Sequence, residues 1–182
     1  MQPDSKTKPR KRVRPLTLEE HRHVIEYFHS ADDAFLVAMG VDKTKLRSRD
    51  NWFVLMKTEY DKPLKKKTLC YLGWEYDGKL IGHSNISDAN FGDTAKVHLH
   101  LWHDDTRMKG LGTWFFKQSV NWFLRNFELR LITCEPHADN DAPNRVLQKL
   151  GLTPLKTYLT VPGPFNSEQM VTRYEITAPF DD

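Results

Sequence analysis

Arg107-Met108-Lys109-Gly110-Leu111-Gly112-Thr113 is the stretch on which the reading of this chain turns. Upstream of it, residues 94–102 alternate branched or aromatic side chains with polar ones, the two-residue period of a strand. Downstream, residues 113–127 set Trp114, Phe115, Val120, Trp122, Phe123 and Phe127 along the apolar side of a helix. A basic turn with glycines at such a junction offers backbone N–H groups and the positive end of a helix dipole, which together suit a phosphate. Gly110 and Gly112 carry no Cβ, so the backbone there can come close to a ligand. The expectation is a pyrophosphate-binding turn.

Working outward, a short strand ends near Arg14, and Thr17 opens a helix over residues 18–28. Glu20 stands three residues after Thr17, the spacing of a capping box. Residues 32–39 and 50–60 read as two further helices, and 62–67 as a charged loop. Residues 68–76 and 79–87 alternate as strands around Asp77-Gly78, a hairpin turn. After the long helix come a strand at 130–135, a helix at 142–150 stopped by Gly151, and strands near 154–161 and 169–177. The order predicts an α+β fold: a mixed, mostly antiparallel twisted sheet of about seven strands with helices on both faces.

The 182 residues, 39% hydrophobic, suffice for one domain with one substantial core. No run is long enough to span a membrane, and the start lacks a secretory apolar stretch, so a cytoplasmic protein without membrane partners is expected. Cys70 and Cys134 sit in apolar strand-like runs and read as core residues. Six Lys and Arg against Asp4 give the first fourteen residues a net +5, leaving −2 for the rest of the +3 chain. Residues 1–13 are expected to be a basic disordered tail and 14–182 a single domain. The tail could touch nucleic acid, but nothing in the body supports it, so nucleic acid is not the expected partner.

The turn, Asn140, and the run Ala142-Pro-Asn-Arg-Val-Leu-Gln-Lys-Leu-Gly-Leu resemble the GCN5-related N-acetyltransferases (the GNAT superfamily), whose phosphate loop reads Arg/Gln-x-x-Gly-x-Gly/Ala. The resemblance implies acyl-CoA, most commonly acetyl-CoA, as co-substrate and an amine of a small molecule or peptide as acceptor. It implies a pyrophosphate cradle from Arg107, Met108, Lys109, Gly110, Leu111, Gly112 and Thr113. It also implies strand-like pairing of the pantetheine arm with Leu101, Trp102 and His103, and Asn140, Asn144 and Arg145 along the same cofactor.

Residues 140–152 look most like the ribosomal-protein N-terminal acetyltransferases, with Arg145, Val146, Lys149 and Gly151 matching, Pro143 in place of serine and Leu152 in place of phenylalanine. Leu147 occupies the place of a tyrosine that serves many relatives as general acid. A thiol of pKa about 8.5 can leave with little help, so its loss need not abolish activity. Glu135-Pro136-x-x-x-Asn140, with His98, is similar to siderophore acylases of hydroxylated lysine, although His137 replaces their acidic residue. His98 also falls at a histidine position of arylalkylamine acetyltransferases. A CoA-binding module without turnover stays open beside these, as does pairing of two copies into a homodimer.

Acyl transfer requires a neutral amine, a base to take its proton and donors for the oxyanion. Lys96, His98, His100 and Trp102 alternate onto one face of their strand. His98 is the first candidate base and His100 the second; structural histidines inside the sheet are the alternative. Glu135, at a strand end beside the thioester, is a further base or an anchor for the ammonium. His83 and Asn85 form a polar cluster on the neighbouring strand, and Asp33, Phe35 and Met39 fall where this fold lines the acceptor side. A metal pair of His98 and His100, completed by His83 or His103, lacks any further ligand, so no metal is expected.

Overall fold

The structure, a computed structural model, describes residues 9–102 and 110–181. Residues 1–8 of the expected tail, His103 of the expected pantetheine edge, and Arg107, Met108 and Lys109 of the expected cradle therefore lie outside the described residues.

Chain order runs β1 (Lys11–Pro15), α1 (His21–Ser30), α2 (Asp33–Ala38), α3 (Arg49–Tyr60), β2 (Cys70–Tyr76), β3 (Lys79–Ser87), β4 (Thr94–Leu101), α4 (Leu111–Asn126), β5 (Leu131–Cys134), α5 (Asp141–Lys149), β6 (Lys156–Thr160) and β7 (Gln169–Ile176). The seven strands form one sheet in the order β1-β2-β3-β4-β5-β7-β6. Every neighbouring pair is antiparallel except β4 and β5. The expected α+β sheet with helices on both faces is what forms.

Alternation along each strand sends side chains into two cores. Leu72, Trp74, Ile86, Val97 and Ile132 pack with Phe115, Phe116, Val120 and Phe123 of α4 and Leu147 of α5. On the opposite face Leu16 and Tyr71 pack with Val24, Ile25, Phe28, Leu36, Trp52 and Met56 of α1, α2 and α3. Cys134 is buried and Cys70 half-buried, both free thiols pushed up to about 12 by burial.

Local signals hold where they are short-range. Glu20 accepts from Thr17 N at 2.8 Å and Thr17 Oγ1 from Glu20 N at 3.4 Å, a complete capping box. The regular helix nevertheless begins only at His21. Asp77 and Gly78 both take positive φ, 50° and 79°, as the tight hairpin requires. The ordered chain reaches further back than residue 14, since Lys11 to Arg14 pair with β2. Arg14 explains why: its guanidinium binds Glu20 at 2.7 Å and Glu75 at 3.1 Å, and holds the Glu20 carboxyl down at about 2.

The loop at 62–67 contains a 3-10 turn, Leu64–Lys66, tied down by Glu59. The Glu59 carboxylate, 10% exposed, accepts from Thr68 N at 3.0 Å and Leu69 N at 3.3 Å and pairs with Lys62. Glu59→Ala strands two backbone donors at the entry to β2, a loss of about 1–3 kcal/mol. A thermal melt should therefore fall by roughly 3–10 °C, against little change for the solvent-facing Asp61→Ala.

Candidate active site

The sheet opens in its middle. Strands β4 and β5 pair in parallel only across Thr94–Leu131, Ala95–Ile132 and Lys96–Thr133. Past Lys96 they part, while β4 stays paired to β3 through Leu101. The Trp102 N–H is committed to Ile81 O at 2.9 Å, so by the alternation of a strand Val97 and Leu99 turn their backbone groups toward the gap. Extended ligands use such groups as a strand would.

The gap leads to the start of α4. Gly110 precedes it at φ 70°, a left-handed conformation that favours glycine. Among the described residues no side chain caps this helix and no acidic residue sits in its first turn, which leaves its first N–H groups and the positive end of its dipole for a ligand. The helix begins at Leu111, two residues earlier than the sequence suggested, which puts Gly112 and Thr113 inside its first turn. A Cβ on Gly112 would meet only Val146 Cγ2 at 3.6 Å, leaving room beside the helix start. These residues fit a pyrophosphate.

Helices α4 and α5 cover one face of the gap; the other face carries the titratable side chains. His98 lies opposite Asn85, and His100 opposite His83, in the β3–β4 register. Ser87 Oγ and His98 Nε2 are 3.0 Å apart. His98 and His100 are half-buried at the surface, yet packing around their rings holds both neutral. Burial pushes His98 down to about 4, helped by the Lys96 charge, and His100 down to about 3, helped by His98. His83 is fully buried and held well below its ordinary value, for the same first reason.

His83 and His100 stack with ring centroids 4.7 Å apart. Trp102 Nε1 donates to His83 Nδ1 at 2.8 Å, which leaves the His83 proton on Nε2, a buried atom with no partner among the described residues. Asn85, 8% exposed, makes no side-chain hydrogen bond among the described residues. Its amide is thus available beside His98.

Glu135, expected as a further base or an anchor for the ammonium, is engaged by the protein's own side chains. Its side chain is 7% exposed and accepts from Tyr158 Oη at 2.5 Å and from Arg173 Nη1 at 2.9 Å, with Lys96 Nζ at 3.9 Å. The pairing pushes the Tyr158 hydroxyl up. A carboxylate so occupied anchors β5 to the β6–β7 hairpin.

The acceptor-side expectations divide. Asp33 is exposed and pairs with Lys43 at 2.6 Å. Phe35 and Met39 turn inward, joined by Tyr27, whose hydroxyl reaches Met39 Sδ at 3.3 Å and whose ring lies 6.1 Å from Phe35 and 5.5 Å from His100. On the cofactor side, Asn140 stands at the start of α5 without capping it. Asn144 spends its amide internally, donating to Asn140 O at 2.8 Å and accepting from Tyr174 Oη at 3.0 Å. Arg145 pairs with Asp141. Leu147 is wholly buried.

Sequence reading missed Tyr27, Ser87, Tyr158 and Arg173. Ser87 could have been found from the hairpin register, two residues beyond Asn85. Tyr27, Tyr158 and Arg173 reach the site through tertiary packing alone. Among the described residues no group of three or more His, Cys, Asp or Glu is placed to hold a metal, and no helix is long and apolar enough to cross a membrane.

No curated protein sequence matches the chain. Solved structures do. Spermidine N-acetyltransferase from Vibrio cholerae, in complex with CoA and spermine, superposes with a TM-score of 0.74 at 13% identity, covering 93% of this chain and 97% of that one. A ribosomal L7/L12 alpha-N-protein acetyltransferase in complex with coenzyme A gives 0.73 at 10% identity, over 94% and 96%. The ribosomal-protein-S5-alanine acetyltransferase of Vibrio fischeri gives 0.69 at 16% identity, over 94% and 96%. These share the fold; none is a siderophore acylase. The family model described as an acetyltransferase (GNAT) domain matches residues 10–153. With its sheet split between β4 and β5, the chain belongs to the GNAT acetyltransferases, enzymes whose co-substrate is acetyl-CoA.

Proposed function

We propose that this protein acetylates a primary amine of a small molecule or peptide by direct transfer from acetyl-CoA. The observation that carries the reading is the meeting, at one gap in the sheet, of ligand-facing β4 backbone and α4 N–H groups with a neutral histidine and an available amide on the opposite face. The backbone of Val97 and Leu99 holds the pantetheine arm, and the start of α4, from Gly110 to Thr113, holds the pyrophosphate. The amine attacks the thioester carbonyl from the His98 side; the C–N bond forms, the C–S bond breaks and the sulfur leaves as thiolate. His98 receives the proton that the nitrogen sheds after attack, when its acidity has risen. Asn85 steadies the nitrogen.

A base titrating near 4 is already in its acceptor form throughout the working range. Between pH 6 and 9, kcat/KM should thus climb with the fraction of unprotonated amine, without a break near the ordinary histidine value of about 6.5. His98→Ala should lower kcat about a hundredfold while CoA affinity holds. Thiol release from acetyl-CoA against a panel of amines tests the whole reading. Acceptor-independent silence with tight CoA binding would instead mark a binding module, and an inflection near 6.5 would remove His98 from the role.

A further inference from the structure

The face of the gap from which the amine must come is built of rings and neutral polar groups. Tyr27 packs edge-on to His100 at 5.5 Å, Phe28 to His100 at 5.2 Å, and His23 lies 5.9 Å from Trp102. Phe35, with its ring 6.1 Å from Tyr27, and Met39, with its sulfur 3.3 Å from the Tyr27 hydroxyl, extend this wall. Aromatic and thioether walls of this kind receive flat apolar groups, through area and edge-to-face contact.

Carboxylates tell the complementary story. A ligand with several ammonium groups requires several anions to hold them. The carboxylates on the helices that carry these rings, and those beside β4, are engaged: Glu26 with Arg49 at 2.5 Å, Asp33 with Lys43 at 2.6 Å, Asp88 with Lys96 at 3.6 Å, and Glu135 with Arg173 at 2.9 Å. Asp32 caps α2 by accepting from Phe35 N at 2.7 Å. What remains for a ligand's polar end is the Asn85 amide and the half-buried His100 ring, for which no hydrogen bond is formed among the described residues. Neutral handles suit one amine that has shed its proton.

From this we infer that the acceptor is a monoamine bearing an aromatic or similarly flat apolar group, seated against Tyr27, Phe35, Met39 and His100, and that polyamines are rejected. The inference rests on the acceptor site of the proposed function and gives it a chemical class.

The test separates binding from turnover. 2-Phenylethylamine and spermidine are titrated calorimetrically into the full chain saturated with CoA, and both are assayed for thiol release with acetyl-CoA. Phenylethylamine should bind at least tenfold more tightly than spermidine. Phe35→Ala should weaken phenylethylamine at least tenfold, and Phe35→Leu less, with circular dichroism and CoA affinity unchanged in both. Should Phe35→Ala fail to fold, Met39→Ala probes the same wall. Tighter binding of spermidine, or binding of neither amine, overturns the inference. Phenylethylamine binding without thiol release supports it while removing the catalytic reading instead.

Discussion

Acidification from pH 7.5 to 5 should lower the melting temperature of this protein by roughly 10 °C, and most of that loss should come from histidines. Burial holds His83, His98 and His100 well below the ordinary value, His98 at about 4 and His100 at about 3. In the unfolded chain each titrates near 6.5. Above that pH neither state carries the protons and nothing is at stake. Between about 6.5 and the folded values, the unfolded chain takes up protons that the native one refuses, so stability falls as pH falls. Each histidine contributes up to about 1.4 kcal/mol per pH unit, less for the two that keep some surface. Carboxylates do not confuse the window. Glu20, held at about 2 by Arg14, begins to lose its contribution only below its unfolded value of 4.5. His100→Phe, which keeps a ring among Tyr27, Phe28 and His83, should flatten the dependence by about a quarter, since burial holds His21 down as well. Melting temperatures that stay level from 7.5 to 5 would falsify the neutral cluster.

The second large effect is expected at Gly82. Its φ is unremarkable; the constraint is space. A Cβ there would overlap the carbonyl oxygen of His100, with Trp74 Cε3 at 3.0 Å and Leu101 Cα at 3.2 Å. Backbone cannot swing aside as a side chain can, so Gly82→Ala must push β3 and β4 apart beside the residues that border the gap. Overpacking of this kind costs about 1–3 kcal/mol. Because the strain falls on β4, CoA affinity should drop at least tenfold, about 1.4 kcal/mol. Gly78→Ala is the informative partner: nothing lies within 4 Å of its Cβ, but its φ of 79° is strained for alanine. It should lower the melting temperature and leave CoA affinity alone. Equal CoA affinity in both variants would mean that β4 does not shape the cofactor edge.

How far the sequence alone leads depends on how far apart the partners stand. Thr17 with Glu20 and Asp77 with Gly78 act over three residues or fewer, and both form as their chemistry dictates. Alternation along β4 put His98 and His100 on one face, and the hairpin register put His83 and Asn85 opposite them. What was not legible is what lies across the sheet. Glu135 reads as a base or an ammonium anchor, and its contacts with Arg173, thirty-eight residues on, and Tyr158, twenty-three on, arrive only through the β6–β7 hairpin. The Arg145 position looks like a cofactor contact in a motif, yet its neighbour one turn back, Asp141, takes the guanidinium. Helix α4 started early because Gly110, in the left-handed region, ends the turn, letting Leu111 rather than Thr113 begin the helix. Nor does composition reveal that three histidines stay uncharged; that is a property of how tightly rings pack.

The parting of β4 from β5 has a cost to solubility as well as a use. A sheet interrupted at its centre has raw borders in its interior in addition to the two outer ones at β1 and β6. Unsatisfied strand borders recruit other strands, which is how sheets aggregate and swap segments. An outer border can be shielded by charge, as Lys11, Arg12 and Arg14 shield β1, but a border that must receive a ligand has to stay bare. Under the proposed function the co-substrate doubles as the missing strand. On that reading the protein without it is an unfinished sheet, and its shelf life in solution should lengthen as that place is filled.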